Sequence, residues 1–570
     1  MSLIADQLNM TVQHNYLRWK QANLPVYMRK ELNELKSAEI TDRFYKRMTI
    51  GVQGMIGKSG AGTNRMNMYT VRQLTQAFAE ELLSAPAAHH RGVVIGYDSQ
   101  LYSRSFAEQA ALVLIHNGIS VYLFEKARPA PVVSFAVRWL HTAAGIVISS
   151  QGSNDSYGYR IYTDDGAPMT SAESDAIQAK MDEFEDEFTI EKASMREAIE
   201  SGRLVAVGDE IDEAYAECIS TIGYRKEAAS FHGSTVPIVF MTMQKESKRI
   251  IRQLMGGAGF TKVYGLTSKE LGDHLLPGSL SISPENWNEL FEIAYSKHAE
   301  LVFALNSEVN ELQLAVRDEK GKYQLLNANQ TGALLLDYIC SQRDRKQLSD
   351  ESVMRTIFTS DLIDSIAKEY HLQSIQTLTG FVHKEPRHPL IRQLGTRFIL
   401  GLEETGGYMA PGFVRDKDAI QCMLLIAEMS VFYKCQGKSL LQQLQMLYQK
   451  HGYYENDQFQ YVLEGIEGRQ QLRNIIQRMN NECPEQISQV PVKWHGKYQT
   501  GGKRSRDYQE QSADVFKCIF QDGSWYAVQL SEMKSMLTLY LESRGSTHEE
   551  SRSRMAELRS SLLQWFENVF

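Results

Sequence analysis

Ser149 and Ser150 open a polar run, Ser149-Ser150-Gln151-Gly152-Ser153-Asn154-Asp155, between two apolar stretches. Gly145-Ile146-Val147-Ile148 leads in, and Tyr157-Gly158-Tyr159-Arg160-Ile161-Tyr162 leads out. β-Branched and aromatic flanks suit a pleated sheet and small polar residues suit a turn, so the stretch predicts strand, broad loop, strand. A hydroxyl-rich loop at the end of a buried strand can present a nucleophile or hold a phosphate. Glycines 51, 54, 57, 60 and 62 make a second phosphate-cradle candidate. No G-x-x-x-x-G-K-[ST] run is present and the spacing is wrong for a dinucleotide fingerprint. On residue pattern alone this glycine run predicts a flexible loop before a helix at 69–83.

Positioning such groups requires a framework, and the chain supplies alternating strand and helix signals to about residue 440. The N-terminus predicts two helices divided near Pro25. Residues 92–124 read as strand, turn, amphipathic helix and strand, a βαβ unit with Ala107 to Ile115 on the buried helix face. Charged helical sequence fills 171–203, and a further α/β unit begins near Val205. A helix from Ala419 past Lys438 and a second over Leu440–His451 follow, the latter stopped by Gly452. Residues 494–513 read as a polar loop with a short basic run, Lys503-Arg504-Ser505-Arg506. The final stretch, 549–570, predicts an amphipathic helix.

At 570 residues the chain exceeds one domain. A net charge of −8 spread over that length argues against nucleic acid or an anionic membrane as the main partner. Six scattered cysteines, with no C-x-x-C pair, read as reduced thiols of a cytoplasmic protein. The sequence has no window of about 18 apolar residues, so no membrane span is expected.

The segment GIVI-loop-YGYRIYTDDGAPM resembles the active-site segment of the α-D-phosphohexomutases, the phosphoglucomutase and phosphomannomutase family. Gly60 to Asn67 (GAGTNRMN) and Gly96-Tyr97-Asp98-Ser99-Gln100 match further family motifs. The densest match is FILGLEETGGYMAPGFVRDKDAI, with the sugar loop as Gly401-Leu402-Glu403-Glu404-Thr405-Gly406-Gly407. The resemblance implies an α/β chain of four domains around a central cleft. Three are similar α/β domains with mixed sheets, and a smaller C-terminal α+β domain completes the set. Expected boundaries are 1–204 (nucleophile loop), 205–320 (metal loop), 321–445 (sugar loop) and 446–570 (phosphate loop).

It also implies an intramolecular phosphotransferase, converting hexose 1-phosphate to hexose 6-phosphate, and locates the working residues. Aligned without a gap on T-A-S-H-N-P, Ser149, Ser150 and Gln151 take the first three places, which sets Gln151 where the family's nucleophilic Ser stands. A one-residue slip sets Ser150 there. An amide cannot form a stable phosphoester. The family's Mg²⁺ loop, D-x-D-x-D followed by Arg, falls on Asn306, Glu308 and Asn310 followed by Glu311. Two of three ligand charges are absent, so weak Mg²⁺ binding is expected. Glu403, Glu404 and Thr405 keep acceptors for sugar hydroxyls. In the phosphate loop, family pattern R-P-S-G-T-E-P-K, only Ser531 is kept. The resemblance is dense in strands and glycines and thin where chemistry resides. The expected function is therefore a degenerate family member acting by binding or interaction, with a weak phosphosugar ligand and an unidentified protein partner. The alternative is an active divergent mutase using Ser149 or Ser150.

Overall fold

The computed structural model describes residues 2–567 except 85–87, 152–154, 272–283, 379–396, 464–467, 469–470, 473, 476–477, 480, 482, 498–514 and 532–535. The basic run 503–506 and the core of the phosphate-loop candidate, 532–535, lie outside the described residues. The chain divides into two compact units, Met1–Ala315 with Pro411–Ala427, and Val316–Ala410 with Glu428–Phe570. Among the described residues no helix is long and apolar enough to cross a membrane.

In the first unit, helices Ser2–Gln21, Val26–Glu34 and Ser37–Phe44 precede a mixed sheet. Trp19, fully buried, anchors the first of them: its indole N–H donates to Glu187 at 2.6 Å, while Arg18 pairs with Asp186 and Glu187. The sheet contains β1 (Met55–Lys58), β2 (Val93–Tyr97), β3 (Val121–Phe124), β4 (Ala144–Ser150), β5 (Ser156–Tyr162) and β6 (Leu204–Val207), in the order β1-β5-β4-β2-β3-β6. β2, β3, β4 and β6 are joined in parallel, and β5 turns back antiparallel on β4. Every residue of β2 and β4 is buried, as expected of parallel strands covered on both faces. β6 thus adds to the first sheet, across the boundary expected at 204/205.

The glycine run is not a flexible loop. Met55–Lys58 pairs with β5, and Gly54 (φ +92°) is required there because a Cβ would lie 2.3 Å from the Tyr159 carbonyl oxygen. Downstream, the Asn67 side chain caps the helix Met68–Leu83 through the Tyr69 and Thr70 N–H groups, and donates back to the Gly60 and Gly62 carbonyls. The motif that resembles a cradle is an N-cap folded on itself.

A second parallel set follows in the same unit, β7 (Ile238–Thr242), β8 (Val263–Thr267) and β9 (Leu301–Leu305), with β7 central. β10 (Leu312–Arg317) and β11 (Tyr323–Leu326) come next in sequence.

The second unit holds β12 (Glu351–Thr356), β13 (Gln373–Thr377), β14 (Arg397–Leu402) and β15 (Tyr408–Met409), in the order β13-β12-β14-β15. Its last sheet is antiparallel throughout: β16 (Tyr453–Val462), β17 (Gln486–Ile487), β18 (Val490–Lys497), β19 (Val515–Phe520), β20 (Trp525–Ser531) and β21 (Met536–Gly545). The closing helix, His548–Glu567, packs Leu558, Leu562 and Phe566 against Leu539 and Leu541. Two expectations need correction. The helix from Ala419 ends at Cys435, two residues before Gly437 at φ +72°, and does not run past Lys438. Residues 494–497, expected as loop, complete β18.

Buried charge joins the two sheets of this second unit. Arg355, fully buried, holds Asp361 at 2.7 Å and Asp364 at 2.8 Å. The next loop meets the last sheet, where Lys517 donates to the Ile357 carbonyl at 2.7 Å above the Trp525 ring. Glu542 accepts from the Asp361 N–H, Asn456 and the Trp525 indole.

Gly145 on β4 tests the packing of the first sheet, since a Cβ there would lie 2.5 Å from Val137 Cγ2 on the covering helix. Gly145→Ala is expected to cost about 1–3 kcal/mol by overpacking, read as a lower urea midpoint with unchanged slope.

Candidate functional site

β4 delivers Ser149 and Ser150 to its C-terminal end, where two carboxylates from other segments meet them. Asp98, just past β2, accepts from the Ser150 N–H at 2.7 Å and the Ser150 hydroxyl at 2.9 Å. Its other oxygen accepts from the Ser103 hydroxyl at 2.5 Å and the Gln100 N–H at 3.1 Å. Burial pushes the Asp98 pKa up even against these four bonds. The Ser149 hydroxyl donates instead to Glu308. Both serines are buried, with 3% and 1% of their surface exposed. Gln151 is half-buried and points its amide inward, donating to Glu308 at 2.6 Å and to Ser149 Oγ at 3.2 Å. Gly158 on β5 makes room for it, because a Cβ there would come 3.0 Å from Gln151 Cγ.

Asn306, Glu308 and Asn310 form a buried turn after β9. The Asn306 carbonyl oxygen Oδ1 accepts from the backbone N–H of Asn310 at 3.0 Å and of Glu311 at 3.3 Å. Its amide nitrogen donates to Asn310 Oδ1 at 2.7 Å. Asn310 in turn donates to Glu308 Oε2 at 2.9 Å. Gln244, after β7, secures the turn from beneath by donating to the Ser307 carbonyl at 2.7 Å. Val309 sits at φ +57°, an uncommon conformation for a β-branched residue and one held here by the surrounding bonds.

Glu308 is the centre of the arrangement. Oε1 accepts from Ser149 and Gln151, and Oε2 accepts from Arg160 and Asn310. Burial pushes its carboxyl pKa up, but the Arg160 charge and the Ser149 bond outweigh burial and hold it below the usual value. Arg160, on β5, also lies 3.7 Å from Asp416, which accepts from the Tyr162 hydroxyl at 2.7 Å. Beside them Lys417 pairs with Glu311 at 2.8 Å. One network therefore ties β4, β5, the 306–311 turn and the 411–418 segment of the first unit.

Mg²⁺ takes about six oxygen ligands at 2.0–2.1 Å in a near-octahedral set and retains several waters. Asn306, Glu308 and Asn310 offer one carboxylate and two amide oxygens, all of them already accepting N–H or O–H groups. Among the described residues no group of three or more His, Cys, Asp or Glu is placed to hold a metal ion. This donor set does not fit Mg²⁺.

The sugar-loop candidates lie in the second unit, in the turn between β14 and β15. Glu403 is buried and closes the turn by backbone bonds, its N–H to the Gly407 carbonyl at 2.9 Å and its carbonyl from the Gly406 N–H at 3.2 Å. Glu404 accepts from the Thr356 hydroxyl at 2.5 Å, so part of its acceptor capacity is used internally. Thr405 is exposed. Ser531 ends β20 opposite Met536.

Sequence reasoning did not single out Asp98, Arg160 or Asp416. The signal that could have found Arg160 was a charged residue inside the apolar strand Ser156–Tyr162, which must find a partner.

Family models match over two stretches. Residues 47–187 match the phosphoglucomutase/phosphomannomutase α/β/α domain I, and residues 327–451 match its domain III. A phosphoglucomutase of Staphylococcus aureus strain MRSA252 is 29% identical over 516 residues, 88% of this chain and 91% of its own length. The chain is thus similar to the α-D-phosphohexomutases over most of its length. Solved structures carry the same fold across most of its length. A phosphomannomutase-like protein from Thermus thermophilus aligns with a TM-score of 0.66 at 18% identity, covering 92% of this chain and 99% of its own. The Paramecium phosphoglucomutase pp63/parafusin, in its open form, aligns at 0.68 and 13%, covering 92% and 95%.

Among the phosphohexomutase positions, Glu308 offers a direct test of the network. Glu308→Gln keeps the shape but leaves Arg160 short of a buried counterion, and is expected to cost about 3–5 kcal/mol at neutral pH. A carboxylate held below its usual pKa stabilises the fold above that value and loses its contribution as pH falls. The stability gap between Glu308→Gln and the parent should therefore narrow below about pH 4.5, the usual value for Glu. Denaturant melts at pH 7 and pH 4 would read this out.

Proposed function

We propose that this phosphohexomutase-family protein has lost phosphoryl transfer and acts by binding in carbohydrate metabolism. The observation that carries the reading is the commitment of both candidate hydroxyls. Ser149 donates to Glu308, Ser150 donates to Asp98, and both are buried. An attacking seryl oxygen must reach a phosphorus atom, and neither is presented to one. Phosphorylation of either would also press added negative charge against a buried carboxylate. A single pair of like charges 4 Å apart costs on the order of 4 kcal/mol at an effective dielectric of 20, and a phosphate carries more than one. Gln151, at the place of the family's nucleophile, tethers Ser149 and Glu308.

The second reading, an active divergent mutase using Ser149 or Ser150, draws support from the Staphylococcus aureus phosphoglucomutase, which is similar over nearly its whole length. Incubation with glucose 1,6-bisphosphate followed by phosphoprotein mass spectrometry separates the two. No stoichiometric phosphate is expected on Ser149, Ser150 or Ser153. A coupled assay of glucose 1-phosphate conversion with Mg²⁺ should likewise show no turnover. Phosphate on Ser149 or Ser150 together with turnover establishes the second reading, and phosphate on Ser153 would overturn the first.

The ligand proposed is a hexose phosphate, held weakly through hydroxyl contacts at Glu403, Glu404 and Thr405. Neutral hydroxyl bonds contribute about 0.5–1.5 kcal/mol each after exchange with water, and charge-assisted phosphate bonds roughly twice that. With Gln529, Leu530 and Glu532 in place of family phosphate-loop residues, affinity for glucose 1-phosphate or glucose 6-phosphate is expected to be millimolar, on the order of 4 kcal/mol. Calorimetric titration should show this, with the remainder abolished in Glu403→Ala. Micromolar binding untouched by that substitution would mean that other residues recognise the sugar.

A further inference from the structure

We infer that the Arg160 guanidinium is a permanent internal cation standing in place of the family's divalent metal, so that the 306–311 turn is complete without Mg²⁺. The inference is independent of the loss of phosphoryl transfer, since an active chain could use the same cation.

Three observations carry it. First, Arg160 faces two carboxylates from segments far apart in sequence. It donates to Glu308 and stands 3.7 Å from Asp416, with the Tyr162 hydroxyl 3.4 Å from its other nitrogen. Its positive charge thus matches Glu308 from within the chain, with no added ion. Second, Asn306 and Asn310 act as donors. The Asn306 amide donates to Asn310, and the Asn310 amide donates to Glu308. An aspartate side chain at either place has no N–H to give, whereas a metal-binding turn needs side-chain acceptors only. The amides are therefore suited to the closed turn and unsuited to a metal. Third, a guanidinium does not lose its proton at any ordinary pH and cannot dissociate from the chain. Replacing a doubly charged ion with a singly charged group goes together with two fewer carboxylates in the turn, Asn306 and Asn310 for the family's acids.

The test uses Mn²⁺ as a paramagnetic probe of the Mg²⁺ position, read by electron paramagnetic resonance, and the apparent melting temperature. For the full-length parent chain, no Mn²⁺ binding tighter than about 1 mM is expected. Its melting temperature should not respond to 10 mM Mg²⁺ or to chelator, whereas a micromolar site would raise it by several degrees or more at that concentration. Arg160→Lys, which keeps a cation, should behave like the parent toward metal. Arg160→Met should melt at least about 5 °C lower and recover part of the loss with millimolar Mn²⁺, a recovery absent from Arg160→Met combined with Glu308→Gln. If Arg160→Met does not fold at all while Arg160→Lys does, the need for a built-in cation is read from that contrast. Micromolar Mn²⁺ binding by the parent that disappears in Glu308→Gln would overturn the inference. An Arg160→Met protein as stable as the parent, with or without metal, would overturn it equally.

Discussion

A buried carboxylate has to be neutralised, and in this protein Glu308 imposes that requirement on everything around it. An ionised group removed from water costs several kcal/mol unless its lone pairs are filled and its charge is matched. Ser149 and Gln151 from the β4 loop, Arg160 from β5 and Asn310 from its own turn fill all four places. These segments are thereby held in one register, although 159 positions of sequence separate Ser149 from Glu308. Asp98 repeats the arrangement on a smaller scale with hydroxyl and backbone donors alone.

The second unit solves a similar problem differently. Arg355 is matched by Asp361 and Asp364, and Lys517 is stabilised by a carbonyl and an indole face. Burial lowers the Lys517 pKa to about 8, and burial raises that of Glu542 to about 7. These groups join the loop after β12 to the last sheet, and the Phe358 ring stacked on Tyr540 at 4.3 Å reinforces the join. Charge placement in both units is thus mostly structural.

What the sequence made legible follows from range. The strand-loop-strand around Ser149 and the βαβ unit at 92–124 could be read because β-branched runs and helical periodicity are local signals. β1 could not. Met55–Lys58 is short and flanked by glycines, and it is a strand only because β5 lies beside it. β18 was hidden for a different reason, being largely exposed, so that Trp494, His495 and Lys497 look like loop residues. The family motifs located Ser149, Gln151, Glu308 and the Glu403 turn as positions of interest. The bonds from Arg160 to Glu308 and from Ser150 to Asp98 are contacts that no spacing reveals. Reading which hydroxyls are spoken for required the geometry.

Gln151 carries a consequence for substitution at its own position. Its amide is bonded at two points, and the space it fills is defined in part by the absent side chain of Gly158. Changing it to serine in a single step would withdraw a donor from Glu308 and open a void, while leaving Ser149 still turned toward the carboxylate. Serine at position 151 would therefore be less stable than glutamine in these surroundings unless neighbouring residues changed with it.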